Sequence, residues 1–216
     1  MFYFPGLTAA PWHDSAKFAW SREMENNFPA IRAEYEELVH RRKTASDYDS
    51  GGDKEHRLHS GRWDWHSYIL KGRKQDVFRQ QCPTTAALLD GVADHMVGTP
   101  FSFSFFSTLH GGASIAPHTA PCNLRLRVHL PLIVPSDDPS ECGMRVGGET
   151  RPWQEGKSMV FDDCFEHEVW NKTNKERVLL LFDLWHPELH EEERGAIIDM
   201  FGYAARQGWL KGGQGP

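Results

Sequence analysis

The sequence predicts a mainly β fold with helices ahead of and behind a β-core. Three observations carry that expectation. Over residues 101–186, short runs of β-branched and aromatic residues follow one another with Gly, Pro and Asn between them, the pattern of a sandwich or barrel. Before them lie two stretches of helical periodicity, and after them one more. At 216 residues the chain is long enough for one domain with a sizeable core. We therefore expect a single domain over 1–216, with a helical part over 1–100, a β-core over about 101–186 and a C-terminal helix over about 187–207.

The first helix is expected over residues 29–43, where Ile31, Tyr35, Leu38 and the stem of Arg42 share a face. The polar stretch over residues 44–61 reads as an exposed loop. "RWDWHSYIL" alternates as a strand does. "CPTTAALLDGVADHMVG" reads as a second helix, with a threonine cap, core positions at Leu88, Leu89, Val92 and Met96, and Gly98 as its stop. The strands of the β-core are then expected in "FSFSFFSTL", "NLRLRVHLPLIV", "GMRVGG", "KSMVFDD", "HEVWNKT" and "RVLLLFDLWH". A final helix follows, turning Ile197, Ile198 and Phe201 toward the core.

Composition narrows the function classes. Hydrophobic residues at 39% and charged residues at 25% fit an ordinary soluble protein, and a net charge of −6 without a basic run argues against a nucleic-acid partner. The apolar N-terminus has no leading positive charges and is interrupted by Pro5 and Pro11, so neither a signal peptide nor a membrane span is expected. The expected compartment is the cytosol. Cys82, Cys122, Cys142 and Cys164 form no CxxC pair, which argues against a zinc ribbon or a redox motif. Asn171 opens a glycosylation sequon that reads as a turn.

The chemistry concentrates in "APHTAPCNLRLRVHLPLIVP". Arg125, Arg127 and His129 alternate with Leu124, Leu126, Val128 and Leu130. Two readings stand. Their face is either solvated, as on many antiparallel strands, or enclosed, in which case the cations must be paired or serve an anion. His118 opens this segment, and His167 lies in "VFDDCFEHEVW". With a turn centred near Thr173, residues 167, 169, 177 and 179 share one face of a hairpin, and Arg177 is diagonal to His167. Imidazoles from separate strands, with an arginine beside them to hold a carboxylate, suit non-haem iron and a 2-oxo acid.

At these residues the sequence resembles the aspartyl/asparaginyl β-hydroxylase family of Fe(II)- and 2-oxoglutarate-dependent oxygenases. "PHTAPCNLRLRVHLPLIVP", "GGETRPWQEGKSMVFDDCFEHEVWN" and "RVLLLFDLWHPEL" carry the resemblance in order and spacing, and "WDWHSYILKGR" extends it upstream. The resemblance implies a double-stranded β-helix (jelly-roll) core with flanking N- and C-terminal helices. It implies Fe(II), 2-oxoglutarate and O2 as cofactors, with His118 and His167 as iron ligands. Ser107 and Arg177 match the pair that grips one end of 2-oxoglutarate, and Arg127 and His129 match residues near its other carboxylate. Arg125 matches a substrate-facing position, and Arg73 resembles another more loosely. The implied reaction hydroxylates the β-carbon of an Asp- or Asn-type residue and yields succinate and CO2, on an acidic amino-acid, peptide or carrier-tethered substrate.

The usual facial triad adds a carboxylate two positions after the first histidine. That position is Ala120, which cannot bind metal, and the family lacks the acid there too. Asp163 is the candidate to orient a water in its place, with Asp162, Glu166 and Glu168 as alternatives, including as direct ligands. Three rival readings stand beside hydroxylation: an iron-dependent halogenase using the open position, a non-catalytic metal-binding jelly-roll, and a sugar-binding jelly-roll.

Overall fold

A computed structural model describes residues 2–48 and 58–210 of the protein; residues 49–57 of the expected polar loop lie outside the described residues. In chain order the elements are β1 (Trp12–His13), α1 (Ser21–Asn26), α2 (Phe28–Glu36), β2 (His59–Ser60), β3 (Trp63–Leu70), β4 (Arg73–Lys74), α3 (Asp76–Gln81), α4 (Pro83–Asp90), β5 (Ser104–Leu109), β6 (Ala113–His118), β7 (Arg125–Ile133), β8 (Cys142–Val146), β9 (Glu149–Arg151), β10 (Met159–Phe161), β11 (His167–Asn171), β12 (Arg177–Trp185) and α5 (Glu191–Arg206). They build two antiparallel sheets. The larger has the order β1-β10-β7-β12-β5-β3-β4, and the smaller β2-β6-β11-β8-β9. From β5 to β12 the chain passes repeatedly from one sheet to the other. That is the expected jelly-roll.

The alternation of β7 and β12 decides where the larger sheet sits. Leu126, Val128, Leu130, Val178, Leu180, Phe182 and Leu184 are fully buried on one face, against Met24, Ile31 and Tyr35 of α1 and α2 and Leu89 of α4. The opposite face looks at the smaller sheet, where Leu109, Leu179 and Phe161 meet Ile115, Met144 and Val169. Both faces are therefore dry. The solvated-face reading of Arg125, Arg127 and His129 falls, since these are 1%, 8% and 4% exposed. No helix among the described residues is long and apolar enough to cross a membrane.

The local expectations hold with corrections. Ile31, Tyr35 and Leu38 are buried as expected, but α2 widens into a π-helical turn over Glu37–Arg41, and Arg42 turns outward to pair with Glu37. The second helix stops at Asp90, not at Gly98, and no threonine caps it. Glu34 of α2 does so instead. Its carboxylate accepts from the Thr84 and Thr85 amides, both at 2.8 Å, and from the Thr85 hydroxyl at 2.6 Å. Asn171 is fully buried and holds a turn, donating to the Leu109 and Lys175 carbonyls while accepting from the Thr173 hydroxyl. The four cysteines are free.

The hairpin expectation is overturned. β11 pairs with β6 and β8, whereas β12 pairs with β5 and β7. The turn through Thr173 thus carries the chain across the sandwich, so Arg177 and His167 come from facing sheets. A second irregularity lies in β6. His118 stands opposite His167 and Ile115 opposite Val169, so three steps along β6 match two along β11. That extra residue is a β-bulge.

Candidate active site

The bulge determines the first feature of the site. Strict alternation would send His118 to the face opposite Ile115, because they are three residues apart. The bulge returns it to the inner face, where its ring centroid lies 4.0 Å from that of His167. Each imidazole is fixed by a backbone carbonyl: His118 Nδ1 to Ala116 at 2.8 Å and His167 Nδ1 to Phe165 at 2.9 Å. A carbonyl only accepts, so both protons sit on Nδ1 and both Nε2 lone pairs are free. Burial lowers the His118 value, and burial with the neighbouring His118 takes His167 down to about 3, so both rings are neutral at pH 7. Neutral, carbonyl-oriented imidazoles are what a ferrous ion takes as ligands. Among the described residues no third His, Cys, Asp or Glu completes a metal-binding group with them.

Beside the pair lies a closed ionic network. Asp163 Oδ2 accepts from Arg125 Nε at 3.0 Å and Nη2 at 2.6 Å, with Arg127 Nη1 at 3.5 Å. Asp183, directly opposite Arg127 in the β7–β12 register, binds Arg127 Nε through Oδ1 at 2.8 Å and Arg127 Nη2 and Arg125 Nη1 through Oδ2, both at 3.3 Å. It also accepts from the Phe103 amide at 3.0 Å, and Arg125 donates to the Phe101 carbonyl. Burial works to raise the Asp163 carboxyl, but Arg125 and Arg127 outweigh it and hold it below the ordinary value. Its second oxygen, Oδ1, is buried without a partner among the described residues, an acceptor left free for a further donor.

The sequence did not lead us to Asp183. The signal was present: it shares the phase of Arg177, Leu179 and Leu181 along β12, a lone acid on the inward face of an apolar strand. The alternatives to Asp163 point elsewhere. Glu166 and Glu168 pair with Arg145, at 2.9 and 2.6 Å. Asp162 caps the Cys164 amide and lines a separate cleft with His186.

A third feature comes from the start of β12. Arg177 is 1% exposed, and no carboxylate pairs with it among the described residues; its Nε has no partner. Burial pushes this guanidinium down to about 10. Its ring partner is Trp153, 4.9 Å from the guanidinium carbon. Trp153 Nε1 in turn donates to His129 Nδ1 at 3.3 Å, so His129 carries its own proton on Nε2. Ser107 is diagonal to Arg177, because Leu109 faces Arg177 and Ser107 faces Leu179. The Ser107 hydroxyl accepts from Trp63 Nε1 at 2.9 Å, leaving its hydrogen free to donate.

His118, His167, Arg127, His129, Ser107 and Arg177 all line one cavity between the sheets, about 680 Å³ counted out through its mouth into solvent. The mouth is formed by the half-buried Tyr48, Leu58 and Trp63, with Trp65 and Phe105 behind them. Two expected residues are not brought there. Arg125 is sealed behind the cavity by Asp163, Asp183 and Phe101, so its side chain does not face a substrate. Arg73 is exposed on β4, the outermost strand of the larger sheet, away from the cavity lining.

A sequence model of the family described as "Aspartyl/Asparaginyl beta-hydroxylase" matches residues 25–187. The chain is 33% identical over 197 residues to the aspartyl/asparaginyl beta-hydroxylase of Mus musculus, covering 89% of this chain and 25% of that protein. It is 34% identical over 178 residues to an ornithine lipid ester-linked acyl 2-hydroxylase of Rhizobium tropici, covering 82% of this chain and 61% of that protein. The chain thus spans about a quarter of the mouse relative's length and less than two thirds of the Rhizobium relative's. The structure of a Pseudomonas putida prolyl-4-hydroxylase superposes with a TM-score of 0.46 and 15% identity over 74% of this chain and 87% of that one, too distant to bear on the site.

Proposed function

The chain belongs to the aspartyl/asparaginyl β-hydroxylase family, and from that premise we propose that it is an Fe(II)- and 2-oxoglutarate-dependent dioxygenase that hydroxylates an aliphatic carbon. One observation carries the reading. A single cavity holds two imidazoles with free Nε2 atoms and a guanidinium that meets no anion among the described residues. An unpaired buried cation is costly and persists where it receives a ligand's charge. Bound iron, with 2-oxoglutarate and O2, would supply oxygen insertion into a C–H bond, 2-oxoglutarate leaving as succinate and CO2.

The protein's own groups would do the rest. His118 and His167 would hold the metal. Arg177 and the Ser107 hydroxyl would hold the distal carboxylate of 2-oxoglutarate, with Trp153 fixing the plane of the guanidinium. His129, donating through Nε2, and Arg127, anchored by Asp183, would orient the proximal carboxylate. Asp163 Oδ1 would accept from a water in the position that Ala120 leaves open. Phe161, Val169 and Leu181 would exclude bulk water. An Asp- or Asn-type β-carbon is the target that the family's name supports, and an acyl chain is the one that the Rhizobium relative's name supports.

The test is metal binding and turnover together. Parent protein should bind iron in equimolar amount and release succinate from 2-oxoglutarate when a substrate is supplied, while His118→Ala and His167→Ala should each lose iron by elemental analysis. Full iron content in the double variant would end the assignment.

A further inference from the structure

We infer that the group offered to the metal centre is uncharged and apolar, an aliphatic chain on an acyl group or an amino-acid side chain, and not a carboxylate. The inference rests on the hydroxylase reading above and narrows its substrate.

The first argument is where the cations go. The arginines that made an acidic substrate attractive in the sequence are satisfied internally. Arg125 and Arg127 share Asp163 and Asp183, two guanidiniums against two carboxylates. Arg177 sits against Trp153, diagonal to Ser107, where the cosubstrate's distal carboxylate would use it. Among the described residues no further arginine or lysine lines the cavity. A carboxylate entering would leave water without a charged donor among the described residues to replace it, and an unpaired buried charge is strongly disfavoured.

The second argument is what the mouth is made of. Trp65 stacks on Phe105 at 4.1 Å between ring centroids, and Tyr48 and Trp63 lie 4.9 and 5.0 Å from Trp65. Leu58 and Leu181 complete this wall. The nearby polar groups are also engaged: Arg62 with Asp64 at 2.7 Å, and His59 Nδ1 with the Tyr48 hydroxyl at 3.1 Å. A contiguous aromatic and aliphatic wall favours an apolar occupant in proportion to the area it covers.

The third argument is a single orphaned donor. Trp65 Nε1 is buried without a partner among the described residues. One neutral N–H suits one amide or ester oxygen beside an aliphatic chain; a carboxylate asks for several donors.

Three uncharged or acidic probes test this by calorimetry on the full chain, both metal-free and loaded with Mn(II) and 2-oxoglutarate: N-methylhexanamide, N-acetyl-leucine methylamide and N-acetyl-aspartate methylamide. Both apolar probes should bind at least about tenfold more tightly than the aspartate probe, and the tighter of the two names the source of the chain. Leu58→Arg, which puts a cation on the rim, should shift that ratio toward the aspartate probe by about tenfold or more. Circular dichroism checks that the variant folds, and the parent comparison stands without it. Equal or tighter binding of the aspartate probe, or no binding of either apolar probe, overturns the inference. Succinate release with the aspartate probe alone would overturn it while leaving the hydroxylase reading intact. Tight apolar binding with no succinate from the iron-loaded protein would do the reverse.

Discussion

Arg177→Met should make the cosubstrate-free protein more stable. Burial takes the guanidinium from its ordinary value down to about 10, which corresponds to a cost of about 3 kcal/mol for keeping it charged. At pH 7 the group stays protonated, so the fold carries that cost throughout the ordinary range. The stack on Trp153 at 4.9 Å offsets some of it, by about 1–2 kcal/mol for a desolvated cation–π pair. Methionine fills similar space without a charge, so a net gain of about 1–2 kcal/mol is expected, or a Tm roughly 5 °C higher for a chain of this size. Urea unfolding with and without 2-oxoglutarate reads both halves of the claim. Parent protein should gain about 2.7 kcal/mol at cosubstrate a hundredfold above Kd, and the variant should gain almost nothing. A variant less stable than parent in the absence of cosubstrate, or one that gains as much from it, refutes the reasoning.

Asp183→Asn removes the carboxylate that Arg125 and Arg127 share and should cost about 3–5 kcal/mol in denaturant unfolding; a loss under about 1 kcal/mol would show that the network is not held by this carboxylate. His95, buried with Nε2 at 2.6 Å from the Ser104 hydroxyl, is lowered by burial from 6.5 to about 4. The folded state therefore takes a proton less readily than the unfolded one. Its contribution is full above pH 6.5 and is lost as pH falls toward 4, about 3 kcal/mol in all. His95→Gln should flatten the fall of the urea midpoint in that window, leaving the part due to His13, His118, His129 and His167. Glu34→Ala uncaps α4 and should cost about 1–2 kcal/mol, read by thermal unfolding.

Most strands were legible because runs of β-branched and aromatic residues stand between turn residues. The alternation of residues 124–130 left open whether the polar face of β7 was solvated, and β7 and β12 prove to be buried on both faces. His118, His167 and Arg177 were singled out as site residues through the family resemblance, not through spacing, and the structure brings them into one cavity. Strand pairing was not legible. The turn through Thr173 looks like a hairpin turn locally, and only the burial of both faces of β12 decides that it crosses between sheets. Charge partners were the other gap. Arg125 and Arg127 find Asp183 more than fifty residues away, and such distances leave no trace in local pattern. The strands β1, β2, β4 and β9, of two or three residues, were too short for alternation to be read; β6 has six residues, but Ala113, Ala116 and Pro117 give it little strand character and its bulge breaks the alternation, so the strand that carries His118 was not foreseen as one.

The bulge on β6 makes ligand geometry depend on the parity of a residue count. Removing Ala116 or Pro117 would leave both sheets intact by composition, yet would swing His118 to the outside. Restoring any residue there, whatever its side chain, would swing it back. Insertion and deletion, more than substitution, are therefore the changes by which a lineage could pair or separate the two imidazoles without rebuilding the sandwich.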